Sequence, residues 1–395
     1  MIFHKINKKK ILLEIIIIIF FSILVISFKS TVFEVFSEGG SSDFHLYPAK
    51  CVFQGINHYA SYLSRDEKCA FFMTQYGEYA QGFYILMYPF TFFEWKTAKV
   101  IWFLLNIILI FLIIYFLCQK FKIRKIYFFF LILLIFSSIV TKTTLVMGQQ
   151  AIFTLFFLAL PFIFKSRLTY ILSGISYFKY SIGYGLFIFY LISKSYKNIL
   201  LSLIPCFCGW IVYSFITNTN IFENLFQPIE LTIKNLSTIN QQFLFSFLKF
   251  FFKSNEYSYY FLLFVPSILL NLFFIKKIIS INNDLQKLTC LCMVILVSTP
   301  HYPHDYVLII PLIVYALKYY SLNISLSRIN LIVGIYFLNF YRAVEIYFPK
   351  ILLFLRFNID FINIITLVLP NLNSLLLLFL LILNLKPLKK YKSIL

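Results

Sequence analysis

Charge is what this sequence has least of: 13% of its 395 residues are charged, and only 15 are acids. A soluble domain carries roughly a quarter charged residues, so a water-facing surface of ordinary extent is excluded. Strand-like alternation is missing from the apolar runs at 11–27 (ILLEIIIIIFFSILVIS) and 100–117 (VIWFLLNIILIFLIIYFL), and polar residues are few in both. Such runs approach the ~20 residues a helix needs to cross the ~30 Å hydrocarbon layer. Without strand alternation a β-barrel is excluded, and helices are the remaining way to satisfy backbone groups in lipid. The first run also lacks a small-residue cleavage site before the acidic stretch that begins at Glu34, and reads as a retained helix. No soluble basic domain accompanies the net charge of +20, which argues against a nucleic-acid partner.

What the chain does have is basic clusters at intervals: Lys5–Lys10, Lys120–Lys125, Lys165 with Arg167, Lys276 with Lys277, and Lys386–Lys392. Short basic loops stay in the cytoplasm. With both termini inside, crossings are expected near 11–29, 98–118, 124–141, 148–164, 198–216, 257–275, 285–299, 304–320, 328–344 and 361–385. The segment 168–193 has basic residues at both ends, so it is expected to begin and end inside as a hairpin of two half-length helices. Gly174, Gly183 and Gly185 would serve its turn and close packing, and Lys179 would sit at its tip. The rival, one straight helix, would invert everything downstream. The expected fold is therefore all-α and polytopic, about 11–13 membrane helices including a short re-entrant-like hairpin, in a single integral membrane domain over 1–395. Nearly every acid then falls on the outer side, with Glu14 and Asp284 towards the inside.

Two outer segments are too long and polar for connectors: 30–97, with interfacial helices expected at 45–54 and 80–93, and 218–256, with amphipathic pieces suited to the membrane surface. The first contains Asp43, Tyr47, Gln54-Gly55-Ile56-Asn57-His58-Tyr59 and Tyr88-Pro89. It also contains Cys51 and Cys69, for which bonded and free states are both open. A lone cation in an apolar stretch, such as Lys179, either faces a cavity or partner or snorkels to an interface. Gln149 and Gln150 open a helix, where amides and free N–H groups can meet phosphate or hydroxyls or simply cap the helix. The outer turn Thr299-Pro300-His301-Tyr302-Pro303-His304-Asp305-Tyr306 suits a grip on phosphate and sugar, and equally a rigid turn. His301, His304, Asp305, His45 and Asp43 lack a tight ligand spacing, so no metal site is expected, although a divalent ion is not excluded.

Asp43, Tyr47, Gly55, Tyr59, Ala98, Trp102 and Asn106, followed by Gly148-Gln149, Lys179 and Ser298-Thr299-Pro300-His301, resemble the motifs of the C-type polytopic glycosyltransferases that use polyprenyl-phosphate sugars, and most closely glycosyltransferase family 87. The resemblance covers about 40–310 and departs at His58, where Pro is usual, and at Ala80-Gln81, where Tyr-Pro-Pro is usual. It implies an inverting transfer of a hexose such as mannose from a polyprenyl phosphate to a glycan or lipid-linked acceptor, in a bacterial inner membrane and on its outer face. Asp43 would be the base, with Lys179, His301 and Lys142 on the donor phosphate. Gln149, Gln150, Tyr47, Tyr59, Glu78, Tyr79, His304 and Asp305 would contact sugar or acceptor. Membrane lipids, the donor and the acceptor are the expected partners, and no cofactor is implied. A transporter or flippase for a lipid-linked glycan is the alternative, although the two halves show no repeat of the kind transporters carry.

Overall fold

The computed structural model describes part of 22–36, then 45–64, 69, 79–236, 256–299, 301–320, 324–355 and 359–385. The structure is 85% helical, and no strand occurs among the described residues. Helices Trp95–Lys120 and Tyr196–Ile216 are long and apolar enough to cross a membrane. Between their ends, exposed apolar side chains recur every three or four residues: Leu104, Ile108, Phe111 and Tyr115 on one, Leu200, Ile204, Phe207, Ile211 and Phe215 on the other. That spacing makes one stripe along each helix. Apolar stripes left uncovered on buried-core helices belong in hydrocarbon, while Ala98, Trp102 and Asn106 point inward from the first of them.

Several expected crossings are interrupted. The run expected at 124–141 is two helices, Lys125–Phe136 and Ile139–Val146, bent by 59°. The break falls at Ser137-Ser138, where the Ser138 hydroxyl accepts a hydrogen bond from the Thr141 amide at 3.1 Å and caps the second helix. The interfacial helix expected at 80–93 likewise divides into Gln81–Leu86 and Tyr88–Thr91, with Pro89 in the first turn of the second piece. The one expected at 45–54 is found as Leu46–Phe53. Towards the C-terminus, Ile324–Ile335, a π-helical turn at Tyr336–Phe340 and Tyr341–Phe354 follow one another, so the helical path runs past the expected end at 344.

The segment 168–193 folds back on itself. Arg167–Ser173 leads through a 3-10 turn, Gly174–Phe178, to Lys179, and Tyr180–Ile192 returns. The Tyr170 and Tyr190 rings lie 6.0 Å apart, and the Ser173 and Tyr190 hydroxyls 3.4 Å apart. In a straight helix residues 170 and 190 would be about 30 Å apart. The arms approach closely because Gly183 has no side chain: a Cβ there would meet the Ser176 carbonyl oxygen at 2.5 Å. Lys179 is thus at the tip, as the flanking charges implied.

The two ends of the bundle keep their charges apart. Lys165 pairs with Asp284 at 2.6 Å at one end, and both were expected on the same side. Lys142 pairs with Glu34, also at 2.6 Å, and these two were expected together on the other side.

Candidate functional site

Lys179 is nearly buried, and its ammonium pairs with the Asp305 carboxylate, which is fully buried. Asp305 is placed by the turn that begins at Pro303. Its second oxygen accepts a hydrogen bond from the Tyr302 amide at 3.0 Å, closing a capping box at the head of the 3-10 helix Pro303–Ile309. His304 stands beside it, with Nε2 3.7 Å from the same carboxylate oxygen that meets Lys179, and stacks on Tyr302 at 5.3 Å. The His304 carbonyl accepts from the Thr144 hydroxyl at 3.2 Å, tying this turn to the helix before Gly148.

The segment that precedes helix Trp95–Lys120 closes the other side. The Ala80 amide donates to the Phe178 carbonyl at 2.9 Å, so the residues flanking the hairpin tip and the loop are joined through backbone. Tyr79 therefore lies against the tip, its ring centroid 6.0 Å from the Lys179 ammonium. Its hydroxyl donates to the Gln149 side-chain oxygen at 3.4 Å, and its carbonyl accepts from the Tyr59 hydroxyl. His45, which adopts a left-handed conformation (φ 67°), packs edge-on against Tyr79 at 4.6 Å. Burial, reinforced by the charges of Lys179 and His304, pushes the His45 imidazole down to about 3, so it is neutral at ordinary pH.

Gln149 and Gln150 follow Gly148, which has φ 62° and so sits where a side chain is strained. The Trp102 indole donates to the Gly148 carbonyl at 2.9 Å, and Asn106 donates to the Trp102 carbonyl at 2.9 Å. Trp102 therefore fixes the turn which presents the two glutamines, while the Asn106 bond stays within its own helix. Gln150 is buried, and both polar atoms of its side chain lack a hydrogen-bond partner among the described residues. An unpaired buried amide costs about 1–3 kcal/mol. His301 shows the same feature at Nε2, while its Nδ1–H donates to the Thr299 carbonyl at 3.0 Å. That bond leaves Nε2 with a lone pair, and burial holds the ring below its ordinary basicity. The unpaired atoms stand as acceptors and donors for a guest.

Lys179, Asp305, His304, Tyr79 and Gln149 are thus joined in one chain of contacts, with Gln150 adjoining through its neighbour and His301 belonging to the same turn as His304 and Asp305. Lys142 is engaged elsewhere, by Glu34 at 2.6 Å and the Ser30 hydroxyl at 2.7 Å. Tyr59 is buried in an aromatic group with His58, Tyr84 and Tyr213, so it reaches the cluster only through Tyr79. Tyr47 is half-buried on Leu46–Phe53. Asp43 and Glu78 lie outside the described residues. Cys51 and Cys69 are joined as a disulfide, which pins Leu46–Phe53 within the loop.

His45, Thr144 and Tyr302 were not singled out as site residues. His45 entered the sequence reading only as a possible metal ligand, and Thr144, through its hydroxyl, and Tyr302, through its amide and ring, make contacts that no local sequence pattern marks.

The model of glycosyltransferase family 87 matches residues 79–300, more than half of the chain. The chain belongs to glycosyltransferase family 87. Nothing among curated proteins or solved structures matches it. The family match begins at Tyr79 and so contains the Gly148-Gln149-Gln150 turn and the hairpin with Lys179, and it ends within the outer turn just before His301. The protein is accordingly a membrane glycosyltransferase of this family.

Proposed function

We propose that this family 87 enzyme transfers a hexose, such as mannose, from a polyprenyl phosphate to a glycan or lipid-linked acceptor on the outer, periplasmic face of a bacterial inner membrane, with inversion. The observation that carries the reading is the meeting of the hairpin tip with two other segments: Lys179 against Asp305, which His304 flanks, on one side and against Tyr79, which bonds Gln149, on the other. A buried cation, paired with a carboxylate and set among hydrogen-bonding groups, suits a phosphate whose charge grows as it leaves. In this reaction the bond between sugar C1 and the phosphate oxygen breaks, and its electron pair stays on the phosphate. The acceptor oxygen forms the new bond to C1 and gives its proton to a base.

Asp43 is the proposed base. It lies two residues before His45, which packs on Tyr79 at the edge of the cluster. Lys179 and His301 would hold the phosphate. Lys142 would join them only by exchanging Glu34 for the donor. Tyr79, Gln149, Gln150 and His304 would meet sugar or acceptor hydroxyls, and Tyr47, Glu78 and Asp305 complete the proposed set. The Cys51–Cys69 disulfide is in keeping with an oxidising, non-cytoplasmic compartment.

The test is transfer of a radiolabelled sugar from polyprenyl phosphate by the purified protein in proteoliposomes, comparing the wild type with Asp43→Asn. Transfer is expected from the wild type, and a loss on the order of 100-fold or more from the variant. Unchanged transfer by Asp43→Asn would sink the base assignment. Movement of the lipid across the bilayer with no transfer would replace the enzyme reading with that of a flippase.

A further inference from the structure

The pairing of Lys179 raises a question about charge. A donor phosphodiester carries one negative charge, whereas the monophosphate it leaves behind carries nearly two. A lone lysine would therefore hold the product more tightly than the substrate. Yet Lys179 is not alone: among the described residues its hydrogen-bond acceptor is the Asp305 carboxylate, which is fully buried. Among the described residues, the other titratable groups around the tip include Tyr79, whose ring lies 6.0 Å from the Lys179 ammonium, and His45, His301 and His304. The pair itself carries no net charge, so a phosphate arriving at Lys179 meets a site already neutralised from within.

We propose that Asp305 is a built-in anion that trades places with the lipid phosphate on Lys179, yielding the ammonium when the donor binds and reclaiming it as the polyprenyl monophosphate leaves. This inference rests on Lys179 as the phosphate ligand of the proposed reaction. Asp305 acts through Lys179 and is a positioning residue.

Three features make the exchange feasible. Only one carboxylate oxygen, Oδ1, meets Lys179, while Oδ2 keeps its bond from the Tyr302 amide at 3.0 Å. The carboxylate therefore stays held when the lysine moves away. His304 Nε2, 3.7 Å from Oδ1, is placed to cover the vacated oxygen. Lys179 itself is at a turn between two helices, with Tyr180 anchored by its hydroxyl to the Pro228 carbonyl at 2.8 Å, so its four-carbon stem can swing without shifting the backbone. The exchange weakens binding of donor and product alike. It matters most for the product, which would otherwise bind best.

The experiment measures binding of a polyprenyl monophosphate to the purified full chain in nanodiscs, for the wild type, Asp305→Asn and the double variant Lys179→Met/Asp305→Asn. If Asp305 occupies the lysine most of the time, removing its charge is expected to tighten binding about tenfold, since apparent affinity scales with the competent fraction. The double variant is expected to lose that gain. In sugar transfer, Asp305→Asn is expected to lower donor KM and kcat together, because product release slows. Affinity that is unchanged or weaker in Asp305→Asn, or a gain that survives in the double variant, overturns the proposal. Should Asp305→Asn not fold, a structure of the wild type with the monophosphate bound decides. Lys179 on the phosphate and off Asp305 supports the exchange, and an intact pair beside the phosphate overturns it. Because the binding readout needs neither sugar nor acceptor, it can hold while transfer proves absent, or fail while transfer is intact.

Discussion

Two buried polar regions draw on the segment before helix Trp95–Lys120, one through Asn57 and one through Tyr79, and they are built on opposite plans. In the clamp that holds helix Ile221–Leu236, the Asn57 side chain donates to Asn224 at 3.0 Å and Gln227 at 2.8 Å. It accepts from the Tyr213 hydroxyl at 2.9 Å. Asn224 in turn donates to Ser214 at 2.9 Å and accepts from Asn57, so both amides are used at both ends. The cluster around Lys179 is charged instead, and it keeps Gln150 and His301 Nε2 without partners among the described residues. A network whose members satisfy one another gives rigidity. One that leaves buried donors and acceptors open carries a cost that a bound substrate would relieve. The first region is therefore read as structural and the second as the place of chemistry.

That contrast can be broken at several points. Lys179→Met should have the largest effect: it strands the Asp305 carboxylate, costing about 3–5 kcal/mol of stability, and cuts sugar transfer on the order of 100-fold. Unfolding monitored in detergent and a transfer assay check both. Opening the Cys51–Cys69 bond, which spans 18 residues, should cost ~3 kcal/mol. Comparing unfolding of the oxidised protein with that of Cys51→Ser measures it. On the clamp side, Asn57→Ala should cost about 1–3 kcal/mol, because it leaves Asn224, Gln227 and Tyr213 short of a partner. Per folded molecule, transfer should stay near wild type, and a large loss would mean that the clamp is part of the site.

The smallest effect concerns pH. His45 is neutral in the fold and is held at about 3 against an ordinary 6.5. The unfolded chain thus takes up a proton first, and stability present above pH 6.5 falls as pH drops through the window from 6.5 to about 3. The first unit below 6.5 should cost about 1 kcal/mol, with His45→Gln flattening the profile. Unfolding measured at pH 7.5 and 5.5 tests this, and an unchanged slope in the variant would assign the loss to another group.

The sequence made some of this readable and hid the rest. The hairpin at 168–193 was legible because basic residues flank it on both sides, and the Tyr170–Tyr190 contact agrees with that reading. Lys179 was legible because a cation is costly in an apolar run. Trp102 and Asn106 were legible by family resemblance alone, and the physical task of Trp102, holding the Gly148 carbonyl, is visible only in three dimensions. The Ser137-Ser138 break was hidden because capping competes with helix continuation on a scale that apolar periodicity does not report. The clamp was hidden as well. Asn57 finds its partners 167 and 170 residues away, and no local pattern announces such a pairing.

The difference between the two regions is tested most directly by placing Gln150→Leu beside Asn57→Ala and measuring unfolding free energy and sugar transfer on the same preparations. Removing an amide that has no partner in the fold should leave Gln150→Leu within about 0.5 kcal/mol of the wild type, or more stable. Its transfer should fall at least roughly tenfold, the loss of one substrate hydrogen bond. Asn57→Ala should show the reverse, destabilised but active. Wild-type transfer by Gln150→Leu, together with lost transfer in a well-folded Asn57→Ala, would contradict the account.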